Sequence, residues 1–362
     1  MEKIKVTTST KKYKIMIGKD IFIEEINKFV DKHQPNGIYV VIDENVYNNY
    51  QEKLNLLNFE YKIFISTTGE KAKSFNNLQK LLKFLLENRA NRKSLLINIG
   101  GGVIGDLSAF AASIYMRGIS LIQVPTTLLS MVDSSIGGKT GINFKNVKNV
   151  IGTFYQPDRV IIDISFLNSL PKQQIYSGFG EIYKSSLISS KDFNKFVIDN
   201  YDKIINLQEN YIVKAIFNSL LVKKEVVEKD EFEISGERKI LNLGHTFGHA
   251  FESIEGFQIP HGISVIIGIN FILYVAKILE QIDENVYKTQ SLFTRKLLSE
   301  IGIGAIRKGS YLKYMLLDKK NNEQDIIKFV LFKNFYDIDL TFKIESKKLK
   351  KIINQYIVFF NK

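Results

Sequence analysis

Four histidines occur in 362 residues, and three of them, His245, His249 and His261, stand close together. His245 and His249, in LNLGHTFGHAFE, are spaced i, i+4 and project from one face of a helix. Imidazole is both a metal ligand and a proton carrier near neutral pH, so such a group points to metal or acid–base chemistry. Core packing or capping would explain one histidine, and explains three in one stretch less well. The chain has no cysteine. Disulfides, iron–sulfur clusters, thiolate zinc sites and a cysteine nucleophile are therefore excluded, and a carboxylate would have to complete any metal set. Glu181, in SGFGEIYKSSL, is the expected carboxylate, read as standing at a loop-to-helix transition behind two glycines. Glu252, one turn beyond His249, is its competitor. Thr246 stands where a zincin-type HExxH helix has glutamate, which disfavours a peptidase.

A second kind of chemistry is suggested by NIGGGVIGD, residues 98–106, between an apolar run and a helical pattern. Gly100, Gly102 and Gly105 meet the G-x-G-x-x-G spacing, which lets backbone approach a pyrophosphate at a helix N-terminus. The usual dinucleotide fingerprint has an acidic residue about 20 positions later. Here the candidate ribose ligand comes earlier, in Asp43-Glu44-Asn45, so a dinucleotide would need a different strand order. In MVDSSIGGKTGIN, residues 131–143, Asp133 occupies the place of the first P-loop glycine, which excludes a P-loop ATPase or kinase. What remains is an acid, two serines and Lys139 beside a glycine turn, suited to a polyhydroxylated anion.

These groups need elements to hold them. Near-continuous apolar runs at Ile38–Asp43, 61–66, 94–100, 119–125 and Arg159–Asp163 read as strands buried on both faces of a parallel sheet. Helical spacing occupies Phe75–Glu87 and 103–116. Beyond Pro171 the pattern becomes helical, over 204–227, 240–254, 263–279 and 286–301, with one β-like excursion at 326–332 and 336–342. The expected organisation is an α/β nucleotide-binding type of domain at 1–171 and a mainly α-helical domain at 172–362. The run ISVIIGINFILYVAKIL carries Asn270 and Lys277 and reads as a core helix rather than a membrane span. With no secretion pattern at the start, a cytoplasmic protein is expected.

Hydrophobic residues make up 45% of the chain and charged ones 24%, ordinary for a globular protein and against disorder or low complexity. Lys and Arg number 50 against 38 Asp and Glu, a net charge of +12. That balance suits nucleic acid, an anionic membrane surface or an anionic small substrate. The basic residues are dispersed and form no known nucleic-acid module, which leaves the small anion.

With these residues in view, the chain resembles the 3-dehydroquinate synthases, within the sugar-phosphate cyclases. The blocks that carry the resemblance are GGGVIGDLSAFAASIYMRG, VPTTLLSMVDSSIGGKTGIN, IGTFYQP, GEIYKSSLI, RKILNLGHTFGHAFE, HGISVIIGI and LLDKK. The resemblance implies a Rossmann-like, mostly parallel NAD-binding α/β domain followed by a mainly helical domain that binds metal and substrate. It implies Zn²⁺, with Co²⁺ as a substitute, on Glu181, His245 and His261, and a proton-moving, substrate-touching role for His249. An NAD site would include Asp43, Asn45, Glu70, Lys73, Gly101, Gly102, Val103, Asp106, Thr126, Thr127, Lys139 and Lys148, with Phe166 and Ser169 of the FLNS turn. Substrate contacts would fall on Asp133, Lys139, Asn149, Lys184, Lys224, Arg238, Asn242 and one of Lys319 and Lys320. Arg117 would reach a neighbouring subunit's site, which implies a homodimer.

The implied reaction turns 3-deoxy-D-arabino-heptulosonate 7-phosphate into 3-dehydroquinate and phosphate, on the way to chorismate and the aromatic amino acids. It runs by NAD-mediated oxidation at C5, β-elimination of phosphate, reduction and intramolecular aldol closure. The chain departs from the family in the loop NFKNVKN, residues 143–149, in Gly180 where alanine is usual, and in Ser169 where threonine is usual. The rival readings are a sibling sugar-phosphate cyclase and a metal-dependent polyol dehydrogenase of similar architecture.

Overall fold

The computed structural model describes residues 1–145, 147–256, 258–316 and 325–362. Lys319 and Lys320, the expected substrate lysines of the LLDKK block, lie outside the described residues. The chain divides into two compact units, Met1–Pro171 with Leu207–Phe232, and Lys172–Asn206 with Glu233–Lys362. A single cut at Pro171 misplaces the segment 207–232. Its helix, Glu209–Lys229, lays Ile212, Ala215, Ile216, Leu220 and Val227 into the first unit as a buried stripe.

The first unit is built on nine strands: β1 (Glu2–Thr7), β2 (Lys12–Gly18), β3 (Ile38–Asp43), β4 (Lys62–Ser66), β5 (Leu95–Gly100), β6 (Ser120–Pro125), β7 (Lys139–Phe144), β8 (Val147–Phe154) and β9 (Arg159–Asp163). Seven of them form one sheet in the order β1-β2-β9-β6-β5-β3-β4, parallel throughout except for β1 against β2. The expected α/β class holds, and the five expected strands are its parallel core. All six residues of β5 are buried, as a strand covered by helices on both faces must be. Leu81 and Leu85 of helix Phe75–Glu87 and Leu107 and Ala111 of helix Gly102–Ile114 pack with Val41, Leu96 and Leu121. Each fully buried Leu or Ile there contributes about 1.5–3 kcal/mol. Strands β7 and β8 make a separate antiparallel hairpin.

In the second unit, helix His261–Ile278 is buried almost all round, from Gly262 through Ala276. By length and hydropathy it is apolar enough to cross a membrane, but 78% of that window is buried inside the protein. Helices Lys172–Ser189, His245–Ile254 and Glu284–Glu300 pack against it. The late β-like runs pair as an antiparallel hairpin, β10 (Ile326–Asn334) and β11 (Asp337–Glu345), before a last helix, Ser346–Phe360.

Candidate metal centre and anion-binding residues

Glu181 stands in the middle of helix Lys172–Ser189, not at a loop-to-helix transition. The glycines before it do not make a turn. They let two helices touch through their backbones: a Cβ on Gly180 would lie 2.2 Å from the Gly262 carbonyl oxygen, and one on Gly262 would lie 1.8 Å from that of Ser177. That crossing brings Glu181 to His261, the first residue of its helix. The helix of His245 and His249 is seated similarly, because a Cβ on Gly248 would lie 2.7 Å from the Ser264 carbonyl oxygen.

Glu181 Oε1 lies 3.8 Å from His245 Nε2 and 3.6 Å from His261 Nε2. It is buried and has no hydrogen-bond partner among the described residues, while Oε2 is ion-paired with Lys184. An ionised oxygen stripped of water and left without a donor is costly unless a cation meets it. Two ligand atoms each roughly 2.1 Å from a tetrahedral ion sit roughly 3.4 Å apart, close to the observed spacings. The donor set of one carboxylate and two imidazoles therefore fits a divalent metal. Ligand atoms of His245, His249 and His261 lie within 4.8 Å of one another. Burial separates them: His245 is buried, His261 half-buried and His249 exposed.

The far sides of the two inner imidazoles are also engaged. His245 Nδ1 meets the Leu243 carbonyl at 3.2 Å, and His261 Nδ1 meets Glu252 Oε2 at 3.4 Å. Both contacts fix the rings with Nε2 turned to Glu181, the arrangement by which outer groups orient metal-ligating histidines. Glu252 thus stands behind His261 rather than competing with Glu181. Burial lowers the pKa of His245 well below its ordinary value, and Lys184 lowers it further. Burial also opposes charge on His261, but Glu181 and Glu252 outweigh it and raise that ring to about 9. Glu181 itself is lowered: burial works against its charge, and Lys184 and His261 more than offset that. Glu252→Gln is expected to weaken divalent-metal affinity by about 10–100-fold with the fold intact, read by competition with a chromogenic chelator.

Among the other expected residues of this unit, Lys184 is buried against Glu181. Arg238 is buried on the turn Glu237–Asn242, and Asn242 closes that turn half-buried.

In the first unit, the ends of β3 and β5 are neighbours in the parallel sheet, Ile42 opposite Ile99. The chain leaves β3 toward β4 on one side and β5 toward β6 on the other, which makes this the topological switch point. Asp43 ends β3 and caps helix Glu44–Leu54, its carboxylate accepting from the Asn45 N–H at 2.9 Å. Gly101 precedes helix Gly102–Ile114 with no side-chain cap, so the first N–H groups of that helix, Gly102 and Val103 included, are left for an anion. Cβ atoms on Gly101 and Gly102 would lie 3.0 Å from Thr127 Cγ2 and 2.9 Å from Ser134 Oγ. A side chain at either glycine would crowd these neighbours, and the uncapped N–H groups supply the donors a pyrophosphate needs. Thr126 is tied in by its N–H to the Gly100 carbonyl at 3.0 Å.

Lys73 is buried in an ion pair with Asp106, and Glu70 accepts from Asn143 Nδ2 at 2.7 Å. Phe166 is a core side chain, in ring contact with Phe22 and Tyr50, and leaves only backbone for a ligand. Ser169 Oγ accepts from the Tyr50 hydroxyl at 3.2 Å. Lys139 opens β7 and is exposed, as are Lys148 and Asn149 on β8. In the variant loop the Asn149 N–H donates to Asn143 Oδ1 at 2.9 Å, with Asn149 at φ 53°. Arg117 is exposed between Met116 and Gly118, all three at positive φ.

Asp133 meets Lys223, a residue not among those expected from the sequence. Lys223 Nζ donates to the Asp133 carboxylate and carbonyl, each at 2.6 Å. Lys224 pairs instead with Glu228 at 2.8 Å. The signal was present: Lys223 falls on the buried stripe of its helix at the spacing of Ser219, Leu220 and Val227, and a lysine on that stripe needs a partner.

Sequence profiles of the 3-dehydroquinate synthase N-terminal and C-terminal regions match residues 63–177 and 178–321. The 3-dehydroquinate synthase of Dictyoglomus turgidum is 39% identical over 360 residues, 98% of either chain. That of Pelagibacter ubique is 46% identical over 273 residues, 74% of either chain. Among solved structures, 2-deoxy-scyllo-inosose synthase complexed with carbaglucose-6-phosphate, NAD⁺ and Co²⁺ shares the fold. It superposes with a TM-score of 0.86 at 22% identity, over 98% of this chain and 99% of that one. On the matches to both halves and the full-length relatives, the chain belongs to the 3-dehydroquinate synthase family.

Proposed function

We infer that this chain is a phosphorus–oxygen lyase that converts 3-deoxy-D-arabino-heptulosonate 7-phosphate to 3-dehydroquinate and phosphate, in chorismate and aromatic amino acid biosynthesis. The observation that carries the reading is 39% identity to a 3-dehydroquinate synthase across 98% of both chains. The unsatisfied oxygen of Glu181 facing two imidazole nitrogens adds chemical support. In this reading Glu181, His245 and His261 hold Zn²⁺ or Co²⁺. NAD lies along Asp43, Asn45, Glu70, Lys73, Gly101, Gly102, Val103, Asp106, Thr126, Thr127, Lys148 and the 166–169 turn. When bound, these two groups supply Lewis acidity toward a carbinol oxygen and reversible acceptance of hydride.

The chain's own residues supply the rest. The substrate carries a carboxylate and a phosphate, and Lys139, Lys184, Arg238 and Lys223 offer them cations, with Asp133, Asn149 and Asn242 for hydroxyls. Carbonyl formation at C5 acidifies the C6 proton; the substrate's own phosphate takes that proton as the C7–O bond breaks and phosphate leaves. His249, exposed beside two inner histidines, takes and returns the hydroxyl proton. Because Lys223 neutralises Asp133, Lys223→Ala is expected to lower kcat/KM by about 100-fold. Lys224→Ala, losing one partly exposed ion pair, is expected to change it by less than about fivefold. Steady-state kinetics on the two variants distinguishes them. We assign the protein to the cytoplasm as a homodimer, with the outward Arg117 serving the neighbouring subunit.

The decisive experiment follows phosphate, dehydroquinate absorbance and NADH together, with catalytic NAD, with and without chelator. Equal phosphate and dehydroquinate, no net NADH, and loss on chelation restored by Zn²⁺ is the expected result. Accumulating NADH without phosphate would move the function to a polyol dehydrogenase. Silence on this substrate despite bound metal and NAD would move it to a sibling cyclase.

A further inference from the structure

Glu231 lies two residues beyond helix Glu209–Lys229, has no part in the chemistry above, and is only 6% exposed. Four donors converge on its carboxylate. Ser9 Oγ at 2.5 Å and the Thr10 N–H at 3.1 Å meet Oε2, and the Thr10 hydroxyl and Gln156 Nε2, the latter at 2.9 Å, meet Oε1. Burial disfavours its charge, but these bonds outweigh burial and hold its pKa down at about 2. Charge-assisted bonds of this number make a rigid joint.

The joint connects two cation-bearing elements. Its first arm runs through Gln156, itself 4% exposed. The Gln156 amide lies against Gly138, where a Cβ would come within 2.7 Å of Nε2, and the Tyr155 N–H donates to the Gly138 carbonyl at 2.7 Å. Gly138, at φ 69°, is the residue before Lys139. The second arm is the helix itself. Lys223 sits about two turns before Glu231 and reaches Asp133 from there. Helix ends fray unless tied down, and Glu231 ties this one to the turn after β1.

We propose that Glu231 is a positioning residue that sets the places of Lys139, through Gln156 and the glycine turn, and of Lys223, through the end of its helix. The proposal rests on the reading of these two lysines as the cations that receive the anionic substrate. Glu231 reaches them through the Gln156 amide and the end of the helix, so its effect is on their geometry.

The test uses the holoenzyme with Glu231→Gln, the exchange Glu231→Gln/Gln156→Glu, and Glu25→Gln as a control. Glu25 is a buried carboxylate of the same unit, paired with Arg159 at 3.2 Å. In Glu231→Gln an amide faces the Gln156 amide. In the exchange the donor and acceptor are reversed and the bond is restored. Turnover is measured where urea titration shows every variant folded. Labelling of Lys139 and Lys223 by an acetylating reagent is read by mass spectrometry, with Lys53 as internal reference.

Glu231→Gln is expected to lower kcat/KM by about 10- to 100-fold, with a raised KM, and to speed acetylation of Lys223. The exchange is expected to recover part of both, while Glu25→Gln loses stability but keeps KM and lysine labelling. Unchanged KM and labelling in Glu231→Gln, or equal changes in Glu25→Gln, would overturn the proposal. If the wild-type enzyme itself shows no synthase turnover, the functional reading fails, and the lysine labelling still decides the positioning role.

Discussion

Alanine at His245 or His261 is expected to remove bound metal and turnover together, whereas alanine at His249 is expected to keep the metal and turn over slowly. The reason lies in Glu181 Oε1, which faces Nε2 of the two inner histidines at 3.8 and 3.6 Å and has no hydrogen-bond donor among the described residues. Removing either ring leaves two ligands, Glu181 and the other histidine. His249 is the exposed member of the trio, and in the proposed reading it moves protons rather than holding metal. Losing a general acid–base group costs about 10²–10⁴-fold in rate and leaves binding in place. Metal content by mass spectrometry and kcat on the same preparations separate the cases. Full activity of a metal-free His261 variant would sink the assignment.

The same geometry predicts how the chelated protein takes metal up. His261 is charged up to about pH 9 in the metal-free fold, because Glu181 and Glu252 flank it. Its raised pKa stabilises the metal-free fold fully below the ordinary histidine value of about 6.5, and that contribution is lost as pH rises through about 9. Metal must displace this proton. Divalent-metal affinity is therefore expected to climb by about tenfold per pH unit up to about pH 9, then level off. A flat profile over that range would remove His261 from the ligand set.

What the sequence made legible followed from periodicity and scarcity. β3 and β5 are runs with no polar face, so their burial in a parallel sheet was readable. Three histidines in a chain with four marked their own site. The edge pair β1 and β2 was missed because EKIKVT alternates lysines with Ile4 and Val6, a half-exposed pattern that a search for continuous apolar runs passes over. The glycines before Glu181 were read as marking a loop-to-helix transition because local propensity favours that. Only the partner helix, distant in sequence, reveals a close crossing. That Lys223, and not Lys224, meets Asp133 was hidden for a related reason. Two adjacent lysines differ by about 100° around a helix, and which one faces inward depends on the phase of the stripe.

Gly262→Ala is expected to be the most damaging single-methyl change in the second unit. Its Cβ would lie 1.8 Å from the Ser177 carbonyl oxygen and 2.6 Å from the carbon of the same carbonyl. Those are backbone atoms in mid-helix, so no rotamer change relieves the clash, and one helix must move off the other. The Gly262 N–H also donates to Ser177 Oγ at 3.1 Å, a bond lost with the separation. Overpacking of a core costs about 1–3 kcal/mol where side chains can yield; with backbone on both sides the expected loss is at the upper end or beyond. The functional loss should exceed the stability loss. Glu181 and His261 sit on the two helices that part, and a shift of about 1 Å at such a site costs about 100-fold in rate. Gly304→Ala is the control, since nothing lies within 4 Å of its added carbon. Urea unfolding, metal content and kcat/KM on the pair decide the matter. Native metal content and turnover in Gly262→Ala would mean that the crossing does not set the distance between Glu181 and His261.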